Sequence, residues 1–187
     1  MKKQKCDWCR GDVLYESYHD KEWGKPVYDD QTLFEFLILE SMQAGLSWIT
    51  ILRKRQNYSD ALNQFDVQKI AAYDQEKQEE LLQNAGIIRH KLKVKSIVNN
   101  AQLFIEVQKE YGSFSKYVWN YVEGKPIKNQ VQNHIKAPAN TALSDQIAKD
   151  LKKRGFQFVG STIVYAFMQA TGMVNDHEIT CFRYDEV

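Results

Sequence analysis

Arg89-His90-Lys91-Leu92-Lys93-Val94-Lys95-Ser96-Ile97-Val98-Asn99-Asn100-Ala101-Gln102-Leu103-Phe104-Ile105-Glu106-Val107-Gln108-Lys109-Glu110-Tyr111 places Val94, Ile97, Val98, Ala101, Phe104, Ile105 and Gln108 along one side at intervals of three and four. That is the period of an amphipathic helix laid against a core. The same period continues outward. Upstream, Asp30 is placed to cap a helix carrying Leu33, Phe34, Leu37 and Ile38, ended or bent at Gly45. Trp48 to Leu52, Tyr58 to Phe65, Val67 to Tyr73 and Gln75 to Ala85 read as short helices, the last closed by Gly86. Downstream, Ser113 to Tyr121, a helix from an N-cap at Ser144 to Arg154-Gly155, and Ser161 to Thr171 complete the series. Residues 123–143 hold Pro126 and Pro138 and little periodicity. No Asn-Gly or Asp-Gly joins two alternating runs, and no repeat is visible. The pattern predicts an all-α fold of about nine or ten helices.

A length of 187 residues suits one domain, 1–187, with enough chain to bury a full core. The longest apolar run, Ile163 to Met168, is too short to cross a bilayer, and the basic start leads into Cys6-Asp7-Trp8-Cys9 rather than an apolar signal core. A cytoplasmic, monomeric protein with no membrane partner is the expectation. The net charge of +1 does not by itself point to nucleic acid. Two local basic groups, Arg89, Lys91, Lys93 and Lys95, and Lys149, Lys152, Lys153 and Arg154, suit phosphates or an ordinary solvated helix face equally.

Three cysteines in a reducing compartment favour metal binding or packing over disulfides. Cys6, Cys9 and His19 lie near one terminus; His177 and Cys181, four residues apart, lie near the other. A thiolate and imidazole mixture suits tetrahedral zinc. Two sets are open, Cys6 and Cys9 or Cys6 and His19, each with His177 and Cys181. Either fills four positions, which leaves none for a catalytic water and predicts one structural Zn2+ tying residues 1–25 to 173–187. His177-Glu178-Ile179-Thr180-Cys181 lacks the second histidine of a zinc hydrolase, and Lys5 stands where a zinc nucleobase deaminase needs proline.

Large aromatics crowd the N-terminal quarter: Trp8, Tyr15, Tyr18, Trp23, Tyr28, Phe34, Phe36 and Trp48. Glu40 shares a helical face with Phe36, Leu37, Gln43 and Ala44, so its carboxylate must find a partner or face a cavity. Rings for stacking beside one carboxylate are what a flipped purine requires, above all a positively charged one.

Several blocks resemble one family. They are Tyr18-His19-Asp20 with Glu22-Trp23-Gly24, Leu39-Glu40, Gln43 to Thr50 (QAGLSWIT), Ala85 to His90 (AGIIRH), Leu151 to Phe156 (LKKRGF) with Phe158-Val159-Gly160, and Asn175-Asp176-His177. In order and over nearly the whole chain, they resemble the bacterial 3-methyladenine DNA glycosylase I family. The resemblance implies a helix-hairpin-helix glycosylase fold with a zinc site on Cys6, His19, His177 and Cys181. It implies base recognition by Glu40, with Trp48, Tyr18, Tyr15 and Trp23 around the base. It implies DNA contacts at Gly45 and Leu46, which fill the space a flipped base leaves, and at Gly155, Phe156, Gly160 and Ser161, where backbone N–H groups hold a phosphate. The implied partner is double-stranded alkylated DNA, the product is free 3-methyladenine, and no lysine maps to a lyase nucleophile. A non-catalytic DNA-binding module and a purely structural zinc domain are the competing classes; neither gives Glu40 a role.

Overall fold

Short polar side chains fix where most helices begin. Their oxygen or nitrogen atoms accept from backbone N–H groups that the first helical turn leaves unpaired. In the computed structural model, which describes residues 4–187, Asp12 caps α1 (Val13–Lys21), Asp29 caps α2 (Asp30–Gln43), Asp66 caps α5 (Val67–Ala71) and Asp74 caps α6 (Gln75–Gln83). His90 caps α7 (Lys91–Tyr111), Ser113 caps α8 (Phe114–Asn120), and Thr141 with Ser144 forms a reciprocal capping box at α9 (Ala142–Lys153). Three of the described α-helices start without a side-chain cap: α3 (Trp48–Leu52), α4 (Arg55–Ala61) and α10 (Ser161–Ala170). The fold among the described residues is thus mostly helical, as the periodicity predicts.

Two caps differ from expectation. Asp30 is the first residue of α2 rather than its cap, and its carboxylate accepts from the N–H groups of Phe114 and Ser115 at 2.9 and 2.8 Å. It caps α8, a partner 84 residues away that no local pattern reveals. Ser144 stands three residues inside its helix because Thr141 supplies the first acceptor.

The centre of the fold is α2. It buries Leu33, Phe34 and every residue from Phe36 to Met42, so apolar neighbours surround it on all sides. It packs against α7, α8, α3 and α10. The long helix α7 buries a stripe of Val94, Ile97, Val98, Ala101, Phe104 and Val107. Val107 takes the place expected for Ile105, which is only half-buried. Phe34 meets Phe104 edge-on at 5.0 Å, and Phe104 stacks on Phe114 at 4.0 Å. Among the described residues, no helix is long and apolar enough to cross a membrane.

Residues 123–143 are less formless than their composition suggests. Two residues, β1 (Ile127–Lys128), pair in parallel with β2 (Val174–Asn175), and Val131 bridges to Glu178. A strand of two residues has no period to detect, and its partner lies nearly fifty residues on. The pairing straps this segment across the C-terminal tail.

Backbone also meets backbone where Gly24 N–H donates to Gln169 O and Val27 N–H to Thr171 O, both at 3.0 Å. Gly172 closes α10 at φ +68°, and a Cβ there would collide with the Lys25 carbonyl carbon and sit 2.5 Å from Pro26 N. Neither atom can swing aside. Gly172→Ala is therefore expected to destabilise the protein by about 2–4 kcal/mol, from the left-handed backbone plus the overlap. A thermal unfolding scan showing an unchanged midpoint would contradict that packing.

Candidate active site and metal centre

The burial of α2 places Glu40 beneath a cavity of about 210 Å³. Tyr15 and Tyr18 reach it from α1, Trp48 from the start of α3, and Trp23 from the turn after α1. Trp8 comes from a 3-10 turn at Asp7–Cys9, and Gln43, Ala166 and Gln169 complete the wall with His134. Trp8 meets Tyr15 at 4.8 Å and Trp23 at 5.0 Å, both edge-on, and Tyr18 lies 5.4 Å from Trp48. The four aromatic residues that the resemblance places around the base, Trp48, Tyr18, Tyr15 and Trp23, thus line it together with Trp8, whereas Tyr28 and Phe34 pack on Trp119 and Phe104. Gln43 lies on the helical face of Glu40, as its spacing predicts; His134, Ala166 and Gln169 carried no sequence signal, being distant in sequence from the rest or ordinary in type.

Glu40 is 3% exposed and its Oε2 has no hydrogen-bond partner. Burial alone pushes its carboxyl up to about 8, because a charge in this apolar helix loses its water and gains no counter-ion. Burial first, and Glu40 second, pushes the Tyr15 phenol up to about 12 and Tyr18 well above its ordinary value. Both tyrosines are neutral hydroxyls at any working pH.

Beyond this pocket, Cys6, His19, His177 and Cys181 are all buried, and their ligand atoms lie within 4.8 Å of one another. Cys181 Sγ is 3.4 Å from His19 Nε2 and 3.8 Å from His177 Nδ1, and Cys6 Sγ is 3.7 Å from the same His177 nitrogen. The outward ring nitrogens are held: His19 Nδ1 pairs with Asp20 at 2.8 Å, and His177 Nε2 with Trp23 O at 3.1 Å. That leaves one nitrogen of each ring turned toward the sulfurs, the arrangement a metal needs. Glu178 N–H also donates to Cys6 Sγ at 3.3 Å. The donor set fits a tetrahedral soft-ligand ion, and this group joins Cys6 and His19 to the C-terminal tail.

Cys9 is buried too, but its thiol donates to Cys6 O at 3.2 Å and it lies outside the four-ligand group, although its sulfur is beside His19. Cys9→Ala is expected to keep a full equivalent of metal by elemental analysis, at a stability loss of about 1 kcal/mol for the missing hydrogen bond. Metal content falling by half or more would make Cys9 the ligand instead.

The connection between α9 and α10 is a tight hairpin. Phe156 N–H donates to Leu151 O and Gly155 N–H to Lys152 O, with Gly155 at φ +98°, the paired bonds of a glycine-closed helix end. Asn100, fully buried on α7, clamps it from below: its amide oxygen accepts from Gln157 N–H and its amide nitrogen donates to Gln157 O, both at 2.9 Å. Gly160 precedes α10, and nothing lies within 4 Å of where its Cβ would stand. Phe156 is buried and packs the hairpin onto the core rather than facing outward. Of the two basic groups, Lys149, Lys152 and Lys153 are exposed. Arg154 is committed to Glu110 and Asp150. Lys93 is buried, donating at 2.7 Å to Met42 O and Ala44 O, and so ties down the C-terminus of α2. Just past it, Gly45 turns at φ +78° and leaves Leu46 40% exposed.

Residues 8–184 match the methyladenine glycosylase family. DNA-3-methyladenine glycosylase 1 of Escherichia coli (strain K12) is 47% identical over 181 residues, 97% of this chain and 97% of the relative. A crystal structure of 3-methyladenine DNA glycosylase I has a TM-score of 0.93 at 51% identity, covering 96% of this chain and 98% of that one. Another, of a variant in complex with 3-methyladenine, has a TM-score of 0.92 at 38% identity over 95% of this chain and 96% of that one.

Proposed function

The chain belongs to the methyladenine glycosylase family, and we infer that it is a base-excision repair enzyme that releases 3-methyladenine from alkylated DNA by hydrolysing the N-glycosidic bond. One observation carries this to the level of residues: a buried carboxylate oxygen without a partner stands in an aromatic cavity of about 210 Å³.

Methylation at ring nitrogen 3 makes the adenine a cation with a weakened glycosidic bond. With no cation beside it, Glu40 holds its proton up to about 8, because burial strips its charge of water and nothing offsets it. A cationic base supplies the missing counter-charge and favours the carboxylate; a neutral adenine does not. Discrimination thus follows from desolvation. Glu40 accepts hydrogen bonds from the exocyclic amine, while Trp48, Tyr18, Tyr15, Trp23 and Trp8 stack against and enclose the rings. The base departs neutral, so no acid need protonate it, and water attacks the sugar carbon to leave an abasic site. No lysine among the described residues lines the cavity.

The α9–α10 hairpin serves as the helix-hairpin-helix element. The uncapped N-terminus of α10, at Gly160 and Ser161, offers N–H groups and a positive dipole end to a DNA phosphate, with Gly155 setting the turn and Phe156 anchoring it. Lys152 and Lys153 add charge nearby. Gly45 and Leu46 form the wedge that fills the vacated stack. One structural zinc on Cys6, His19, His177 and Cys181 would staple segments 1–25 and 173–187 into the single domain 1–187; all four positions being protein ligands, it takes no part in the chemistry.

Incubation with methylated duplex DNA is expected to release 3-methyladenine, identified by chromatography, and to leave strands that break only on later treatment with alkali. No release by folded, metal-loaded protein would leave a non-catalytic DNA-binding module as the better reading.

A further inference from the structure

Five buried side-chain nitrogen or oxygen atoms lack a hydrogen-bond partner among the described residues. Four of these residues, Trp8 (Nε1), Glu40 (Oε2), Trp48 (Nε1) and His134 (Nε2), line the same cavity. Buried polar atoms in native proteins are almost always bonded. Orphans gathered round one space mark where a polar ligand belongs. Glu40 and the two indoles already have roles there. His134 does not, and it comes from the stretch with the weakest pattern in the chain.

Its placement is built. Asn129 donates to Asp176 Oδ1 at 2.6 Å, Ile179 N–H donates to Val131 O at 2.9 Å, and His134 N–H donates to Glu178 Oε1 at 3.1 Å. These bonds strap residues 129–134 to the tail and deliver the imidazole beside Trp23 and Trp8, with ring centres 5.4 and 6.2 Å away. Burial pulls the imidazole below its ordinary value, against the opposing charges of Glu178 and Asp176. Nε2 has no partner, and in the tautomer with the ring proton on Nδ1 it presents a lone pair to the cavity.

We propose that His134 Nε2 is a second acceptor for the exocyclic amine of the flipped base, so that Glu40 and His134 each take one of its two N–H bonds. The inference rests on the base-excision reading above. Its consequence is specificity: a methylated guanine would bring a carbonyl oxygen against two acceptors, and a pocket built to bond a donor rejects a group that lacks one.

Calorimetric titration with free 3-methyladenine and with 3-methylpurine, which lacks the amine, separates contact from structure. His134→Leu is expected to weaken 3-methyladenine binding about 3–10-fold, the worth of one hydrogen bond, and to leave 3-methylpurine binding unchanged. His134→Gln, which keeps a carbonyl acceptor, should fall between and serves as the deciding variant if His134→Leu loosens the strap. Equal weakening of both ligands, or of neither, overturns the proposal while leaving the enzyme's activity in place. Wild-type protein that neither binds 3-methyladenine nor releases it from DNA overturns the base-excision reading and this inference with it.

Discussion

Glu40→Gln is expected to lower 3-methyladenine release by about 10²–10³-fold, the order seen when one preorganised electrostatic partner of a transition state is removed. Glutamine keeps the shape and an acceptor oxygen, so the flipped base still enters. It cannot become an anion, so the positive charge on the base meets no counter-charge. The same substitution is expected to stabilise the folded protein, and the sign can be worked out. The Glu40 carboxyl stands at about 8 in the fold against about 4.5 when exposed. The folded state therefore binds this proton more tightly than the unfolded chain, and its advantage is full below about 4.5 and lost as pH rises through about 8. Each tenfold in proton affinity is worth about 1.4 kcal/mol, so the displacement amounts to several kcal/mol. The glutamine variant has no such loss. Its melting midpoint should pull ahead of wild type between pH 5 and 9, by about 2–4 °C for each kcal/mol in a chain of this size. A constant difference across that range would mean that Glu40 titrates normally and is not held in a dry cavity.

Removing a metal ligand should act in the opposite sense. His177→Ala leaves Cys6, His19 and Cys181 without their fourth partner. A site of this donor type binds zinc strongly enough that its free energy is folding free energy. The expected result is loss of the metal and a fall in stability of several kcal/mol. Activity should fall as well, through the walls: Trp8, Trp23 and His134 sit on segments that the four ligands and the β1–β2 pairing hold together. Prolonged chelation of the wild type should reproduce this, with a shift in the emission of those tryptophans as the pocket opens. A variant free of metal yet equally stable and active would show that packing alone holds the ends.

These residues also mark what could be read without the fold. The helices were legible because burial imposes a period of 3.6 on apolar positions, and the α9 end because Gly155 has a local geometric job. Glu40 was legible as an acid among apolar neighbours on its own helix. The metal set was ambiguous, since Cys9 and His19 are both close in sequence to Cys6, and it is the geometry that groups His19 with Cys6, His177 and Cys181 and leaves the Cys9 thiol on a carbonyl. His134 was not legible. Its approach to the cavity depends on a two-residue parallel pair and a handful of side-chain bonds to the tail, all long-range. Asp30 and Lys93 misled for a related reason: a cap and a basic patch are local readings, and both side chains are used by distant backbone.

The most direct measurement is a carbon-13 NMR pH titration of the Glu40 carboxyl, assigned by comparison with Glu40→Gln, without and with 3-methyladenine. A resonance that titrates near 8 in the free protein and moves when the base is added is the expected result. A carboxyl that titrates near 4.5 and ignores the base would mean that Glu40 faces water and that the cavity above it is not where the methylated base is read.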